Sequence, residues 1–461
     1  MKRVGFGEIF QGLKLDFISN RDIFKSLSIS SISTDSRSLK KGELFIAIKG
    51  ERFDGHDFVH DAVLRGASGV VFESVKQGKI ERAIRDNPGV LFLGTQDTRR
   101  LLGQLAHNYL KMFRVRRIAV TGSAGKTTTK AIIHSVLSQR YRVVSSIQSY
   151  NNDIGVPKTI FNINESTEVL VQELGTNRPG EIAYLTEILK PQFSLITNIG
   201  PAHVGFFGSE ENIAREKKEV FRCLDESGIA FANAEDRFFG YLTEGLRCGV
   251  KSFGLTRGDL YPDSIDHAGI GGIEFVLKGK RINLRLPGRH WVLNAISSAL
   301  VGIEFGLTIE EIKRGIESYG GESGRGTVIQ RGGYTIIDES YNANPPSVVS
   351  ALKHLGSVNV AGKKIFVLGD MLELGDKSSF YHRELTGEII SNRVDVLYTL
   401  GTESRLTAEV CKNSGLSHVQ SFSEPEELAR VLRDTLCPGD IVLIKGSRAM
   451  RLERVVQALL S

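Results

Sequence analysis

Cysteine is scarce in this chain: 461 residues hold Cys223, Cys248, Cys411 and Cys437, and none falls in a Cys-x-x-Cys pair. That spacing excludes a zinc cluster and a disulfide framework, so buried thiols in a reducing compartment are expected. Long apolar runs are missing as well. The longest, such as Ile365-Phe366-Val367-Leu368, have strand length, far short of a membrane span, and no membrane insertion is expected. At the N-terminus, Met1-Lys2-Arg3-Val4-Gly5-Phe6-Gly7-Glu8 meets an acidic residue before a signal-peptide core forms, which points to a cytoplasmic protein. Strong charge of one sign is absent. The net charge is +6 and the basic residues form no dense run, so an anionic substrate is allowed and no nucleic acid is expected. Prolines number 11 against 49 glycines, with no low-complexity segment, which assigns the glycines to strand–helix junctions.

What is present is an ordinary soluble balance, with 41% hydrophobic and 24% charged residues. At roughly 150 residues per domain, the length implies about three domains. Three α/β blocks follow one another. In the first, Leu44 to Ile48, Gly69 to Phe72 and Val90 to Leu93 read as strands, and Asp57 to Arg65 and Thr98 to Leu110 as helices. The second opens with a strand, Arg117 to Thr121, and a helix, Lys126 to Gln139. Further strands follow at Val169 to Glu173 and Ser194 to Asn198, the alternation of a parallel sheet. The third has strands at Tyr334–Asp338, Lys364–Asp370, Val394–Gly401 and Asp440–Lys445, with helices around Pro346–Leu355 and His382–Ser391. Boundaries are placed to give domains at 1–112, 113–322 and 323–461. In open parallel sheets ligands bind beyond the carboxyl ends of the strands.

The sharpest motif is Thr121-Gly122-Ser123-Ala124-Gly125-Lys126-Thr127-Thr128, after a strand and at the start of a helix. Glycines let backbone N–H groups approach phosphate oxygens, and a helix start favours negative charge. Lys126 would neutralise the outer phosphates and the Thr127 hydroxyl would hold Mg²⁺. The strict Walker pattern wants glycine where this chain has Val120. The plain alternative is a glycine turn before a helix. Glu173 and His203 lie at the next strand ends, where a carboxylate and an imidazole suit a hard cation or its water; the alternatives are a solvated cap and a structural histidine. Polar loops at Thr34-Asp35-Ser36-Arg37, Asn151-Asn152-Asp153, Asp338 to Pro346 and Lys445-Gly446-Ser447-Arg448 read either as ligand loops or as turns. Phosphoryl chemistry leads, because no serine elbow or zinc motif appears.

These motifs resemble the Mur ligases, and within them the branch that takes D-alanyl-D-alanine. The resemblance runs over nearly the whole chain. It rests on the phosphate loop, which in this family lacks the first Walker glycine, and on five further segments: Asn151 to Pro157, Glu173-Leu174-Gly175, Asp338 to Pro345, Leu368 to Gly375 and Lys445 to Arg448. It implies an N-terminal α/β domain for UDP-sugar, a central P-loop ATPase with a parallel sheet, and a C-terminal Rossmann-like domain. It implies an ATP-dependent amide ligase working through an acyl phosphate, with ATP and Mg²⁺ as cofactors. UDP-N-acetylmuramoyl-tripeptide and D-alanyl-D-alanine are the implied partners, on a monomer.

By the same resemblance, Gly122, Ser123, Ala124, Gly125, Lys126, Thr127 and Thr128 hold the nucleotide phosphates. Asn294, Arg325 and Asp338 touch its adenine, phosphate and ribose sides. Thr127, Glu173 and His203 hold the metal. Lys217 matches the lysine that the family carbamylates, and with Lys126 and His203 makes the catalytic set; a solvated lysine on a charged helix is its alternative. Thr34, Asp35, Ser36, Arg37, Asn151, Asn152, Lys445 and Arg448 are left for the substrates. Trp291 departs from the family, which usually has Asn there, and suggests a stacked adenine; Glu339 stands where Asp is commoner. Two rival readings are a folylpolyglutamate synthase, which lacks the N-terminal α/β domain, and a nucleotide-dependent switch without amide chemistry.

Overall fold

The computed structural model describes every residue except 148, 267, 268 and 287. The chain is α/β, and its packing forms two compact units. One comprises Met1–Ala119, Arg142–Thr176 and Glu181–Gln192, the other Val120–Tyr141, Asn177–Gly180 and Phe193–Ser461.

In the first unit a five-stranded sheet runs in the order Phe17–Ile18, Leu91–Thr95, Gly69–Glu73, Leu44–Ile46, Ile32–Ser33. Only the Phe17 edge is antiparallel. The inner strands are buried except for Glu73 at the end of one, which is why they read as near-continuous apolar runs. The helix Thr98–Lys111 starts where the Asp97 carboxylate accepts the N–H groups of Arg99 and Arg100, each at 2.9 Å. Its buried face carries Leu101, Leu105 and Tyr109, and the Tyr109 hydroxyl donates to the Ile163 carbonyl at 2.8 Å. The strand Val169–Glu173 pairs in parallel with Val143–Ser145 in this unit.

Arg116–Thr121 belongs to both units, the break falling after Ala119. In the second unit Phe193–Ile196, Ile229–Asn233 and Gly249–Phe253 pair in parallel in that order. Helices Lys126–Leu137 and Arg289–Glu304 pack together in the second unit. A three-stranded antiparallel sheet, Ser264–Asp266, Ile273–Leu277 and Lys280–Leu284, precedes the latter.

The last sheet has six strands: Thr327–Arg331, Tyr334–Glu339, Ile441–Lys445, Lys364–Gly369, Val396–Leu400 and His418–Phe422. All pairings are parallel except the first, a hairpin. Apolar layers cover both faces. Ile337, Phe366, Leu368 and Leu443 point to one; Ile336, Ile365, Val367 and Val442 point to the other. Helices sit on both sides, the arrangement of a doubly wound sheet.

Candidate active site

The phosphate loop is held from below by the strand end that follows it in space. Ser123 N–H donates to the Asn198 carbonyl at 2.9 Å and Ala124 N–H to Asn198 Oδ1 at 3.0 Å. Thr197 Oγ1 donates to the Ala124 carbonyl at 2.6 Å, and Ser123 Oγ to that of Gly200 at 2.9 Å. The backbone at Gly122 has φ 148, and a Cβ there would fall 1.8 Å from Thr197 Oγ1, so no other residue fits. These bonds spend the N–H groups at the bottom of the loop. The first turn of Lys126–Leu137 still presents its own donors, as every helix start does. Lys126 Nζ donates to the Gly122 carbonyl at 2.8 Å, folding the ammonium over the loop. Thr127 and Thr128 are buried beneath it.

Asn294 meets this loop directly: a Cβ on Gly125 would come within 2.7 Å of its Oδ1. Trp291, one turn earlier on the same helix, is buried. Its ring packs under Gly326, where a Cβ would stand 3.0 Å from the indole, so it presents no open face for stacking. Asp338 spends both carboxylate oxygens on backbone, accepting Gly324 N–H at 3.1 Å and Ser340 N–H at 3.0 Å. That fixes the turn carrying Arg325, whose guanidinium lies 3.9 Å from the Tyr341 ring centre; Arg448 lies 5.6 Å from the same ring. Lys445 is buried, with Nζ 2.8 Å from Glu339 Oε2 and 3.1 Å from the Asn342 carbonyl. Glu339 therefore neutralises this lysine within the fold.

Lys217 lies on the helix Glu210–Lys218, a stretch that reads as solvated, yet it is only 2% exposed. Burial pushes its ammonium well below the usual lysine range, nearby Lys126 pushes it further, and Glu216 offsets part of this. Glu216 is itself held in place, accepting Gly180 N–H at 2.8 Å. His203 begins the short helix Val204–Phe207, with its Nδ1 2.6 Å from Glu373 Oε2. Lys126, Lys217, His203 and Glu373 thus form one cluster of titratable groups in the second unit.

In the first unit the Asn151-Asn152-Asp153 loop divides three tasks. Asn151 Nδ2 donates to Glu173 Oε1 at 2.8 Å. Asn152 Oδ1 accepts Gly155 N–H at 2.8 Å and so shapes the next helix start. Asp153 pairs with Arg99 at 2.9 Å, and Arg99 also donates to the Lys49 carbonyl at 3.1 Å. Glu173 is 1% exposed, and its Oε2 is buried without a hydrogen-bond partner. A buried, unsatisfied carboxylate oxygen suits a hard cation. Among the described residues no group of three or more His, Cys, Asp and Glu side chains is placed to hold a metal. Mg²⁺ keeps waters and phosphate oxygens as ligands and does not require such a cage. Thr34, Asp35, Ser36 and Arg37 follow the edge strand Ile32–Ser33. Asp35 takes a forked pair of bonds from exposed Arg37 at 2.9 and 2.8 Å, which pulls its carboxyl down to about 2.

Three family descriptions cover the chain in order: "Mur ligase family, catalytic domain" over residues 28–110, "Mur ligase middle domain" over 120–302 and "Mur ligase, glutamate ligase domain" over 324–448. The UDP-N-acetylmuramoyl-tripeptide--D-alanyl-D-alanine ligase of Bacillus subtilis is 35% identical over 95% of this chain and 94% of its own. The chain belongs to the Mur ligase family. Two solved Mur ligases show the same fold along their length. MurF from Acinetobacter baumannii has a TM-score of 0.88 and 29% identity, covering 100% of this chain and 99% of its own. MurF from Thermotoga maritima, solved in complex with ADP, has a TM-score of 0.80 and 28% identity over 93% and 96%. Three side chains of this Mur ligase escaped the sequence reading: Glu373, Tyr341 and Arg99. The first two lie inside quoted motifs with no role attached, and Arg99 lies in an unremarkable Arg-Arg pair.

Proposed function

We propose that this Mur ligase joins D-alanyl-D-alanine to UDP-N-acetylmuramoyl-tripeptide at the expense of ATP, making the pentapeptide precursor of peptidoglycan. The observation that carries the reading is the braced phosphate loop, with Lys126 over it and a buried Lys217 beside it, in a chain matched end to end by ligases of that name. A carboxylate oxygen of the tripeptide attacks the γ-phosphorus, the bond to the bridging oxygen breaks, and ADP leaves. The amine of D-alanyl-D-alanine then attacks the acyl carbon, loses a proton, and expels phosphate. The loop donors and Lys126 stabilise charge on the transferring phosphoryl. Asn294 and Arg325 hold the nucleotide on its adenine and phosphate sides. Thr34 to Arg37 read the sugar nucleotide, and Arg448, standing on Tyr341, offers a cation to a substrate carboxylate.

Thr127, Glu173 and His203 are the residues to hold Mg²⁺. When bound, the ion neutralises phosphate charge and orients the reacting oxygens. A carbamate on Lys217 would add an anionic oxygen. The enzyme works as a monomer in the cytoplasm, and no helix among the described residues is long and apolar enough to cross a membrane. The domains run over 1–112, 113–322 and 323–461. The deciding assay follows phosphate release and product mass with the tripeptide nucleotide, with and without D-alanyl-D-alanine. Release that depends on the dipeptide, with a product heavier by the dipeptide less water, is expected. Turnover with folate and glutamate instead would refute the reading.

A further inference from the structure

Two residues other than glycine face each other with left-handed backbone: His203 at φ 62 and Glu373 at φ 67. Such conformations persist only where the surroundings fix them, and they gather at functional sites. Here the surroundings are backbone. Gly205 N–H donates to the Glu373 carbonyl at 3.1 Å, and a Cβ on Gly205 would come within 2.5 Å of Gly375 N. The turn after the His203 strand and the loop after Lys364–Gly369 are therefore pressed together at main-chain distance. That contact delivers Glu373 Oε2 to 2.6 Å from His203 Nδ1.

We propose that Glu373 is a positioning residue of the ATPase centre, supplied by the C-terminal block, which fixes the tautomer and orientation of His203. This rests on the functional reading above. A carboxylate oxygen only accepts, so the nitrogen facing it at 2.6 Å carries the hydrogen. The lone pair is then left on Nε2, the nitrogen available to a cation or its water. A carboxylate behind the imidazole is the usual way of orienting a ligating histidine. The 2.6 Å contact lies off the line of a hydrogen bond, and the pressed glycines hold the two side chains at that distance. Because Glu373 belongs to the third block, the histidine is oriented only while that loop is seated.

The test uses full-length Glu373→Ala, Glu373→Gln and Gly205→Ala. The Glu373 side chain is 42% exposed, so its truncation should leave the melting temperature near that of the wild type. With ¹⁵N-histidine labelling, and His203→Gln to assign the signal, the wild-type ring should show Nδ1–H. Glu373→Ala should move it toward Nε2–H, and Gly205→Ala should do the same with the carboxylate still present. Mn²⁺ affinity, read by electron paramagnetic resonance with a non-hydrolysable ATP analogue, should fall by about tenfold or more in Glu373→Ala. Its kcat should fall by a similar factor with an unchanged KM for the sugar nucleotide, and Glu373→Gln should lie between. An unmoved His203 tautomer, or unchanged Mn²⁺ affinity in folded Glu373→Ala, would overturn the inference. A wild-type enzyme that makes no pentapeptide would instead overturn the functional reading.

Discussion

At the scale of single residues, Lys217 is where burial matters most. A lysine ammonium has no cheap way to be 2% exposed, and the structure places a second ammonium, Lys126, near it. Both effects favour the neutral amine, the form that adds CO₂ to give a carbamate and release a proton. Activity is therefore expected to fall in CO₂-depleted buffer and to return with bicarbonate. Lys217→Ala should lower kcat by about 100-fold or more, the loss typical of one electrostatic stabiliser. A Lys217→Ala enzyme at the wild-type rate would leave the lysine without a role. The sequence gives little sign of this burial. Arg215-Glu216-Lys217-Lys218 looks like a solvated face, and only the tertiary fold turns Glu216 and Lys217 inward. The phosphate loop was legible for the opposite reason: its glycines are demanded by local geometry, which the chain must spell out. Glu373 and Arg99 were not, because each acts through a partner distant in sequence.

At the scale of elements, legibility followed burial on both faces. In Gly69–Glu73, Val169–Glu173 and Ile441–Lys445 the buried stretches Val70–Phe72, Val169–Val171 and Ile441–Ile444 are continuous apolar runs. His418–Phe422 buries only Phe422, and Lys280–Leu284 only Ile282 and Leu284, so neither announces itself. The helix Arg289–Glu304 begins among charges that belong to three other segments. His290 faces Glu339, Lys445 and His354; burial first, then Lys445 and His354, push its imidazole down to about 4, against the pull of Glu339. The sign follows directly. The unfolded chain takes up this proton as the pH falls through about 6.5, while the folded chain resists until about 4. Stability from this group is full above 6.5 and drains away between those values. The full shift would be worth ~3 kcal/mol, and solvent reaching the partly exposed ring reduces it to ~1–2 kcal/mol. Urea titrations at pH 7.5 and 4.5 should show His290→Gln losing less stability on acidification than the wild type, by about that amount. An equal loss in both proteins would show that the ring titrates like a solvated one.

At the scale of the whole molecule, the two compact units divide the chemistry. The second holds the phosphate loop, Lys217, His203, Asn294, Arg325 and the C-terminal sheet; the first holds Thr34 to Arg37, Asn151, Asn152 and Glu173. Within the first unit Thr98–Lys111 packs against Gly155–Ile160, although the two lie in different blocks of the sequence. No periodicity in the chain reports such a pairing. Within the first unit Arg37 is exposed and held by Asp35, and the proposed function has it meet an anion of the sugar nucleotide. A hydrogen bond to a charged group contributes about 1.5–3 kcal/mol, so Arg37→Ala should raise the KM for UDP-N-acetylmuramoyl-tripeptide by roughly 10- to 100-fold. The KM for ATP should stay within about twofold, since the residues proposed for the nucleotide are others and independent sites add. Initial rates with each substrate varied in turn at saturating levels of the others measure both constants. Equal rises in the two would mean that Arg37 supports the fold of its unit and reads no substrate. A rise for ATP alone would reverse the assignment of the N-terminal block.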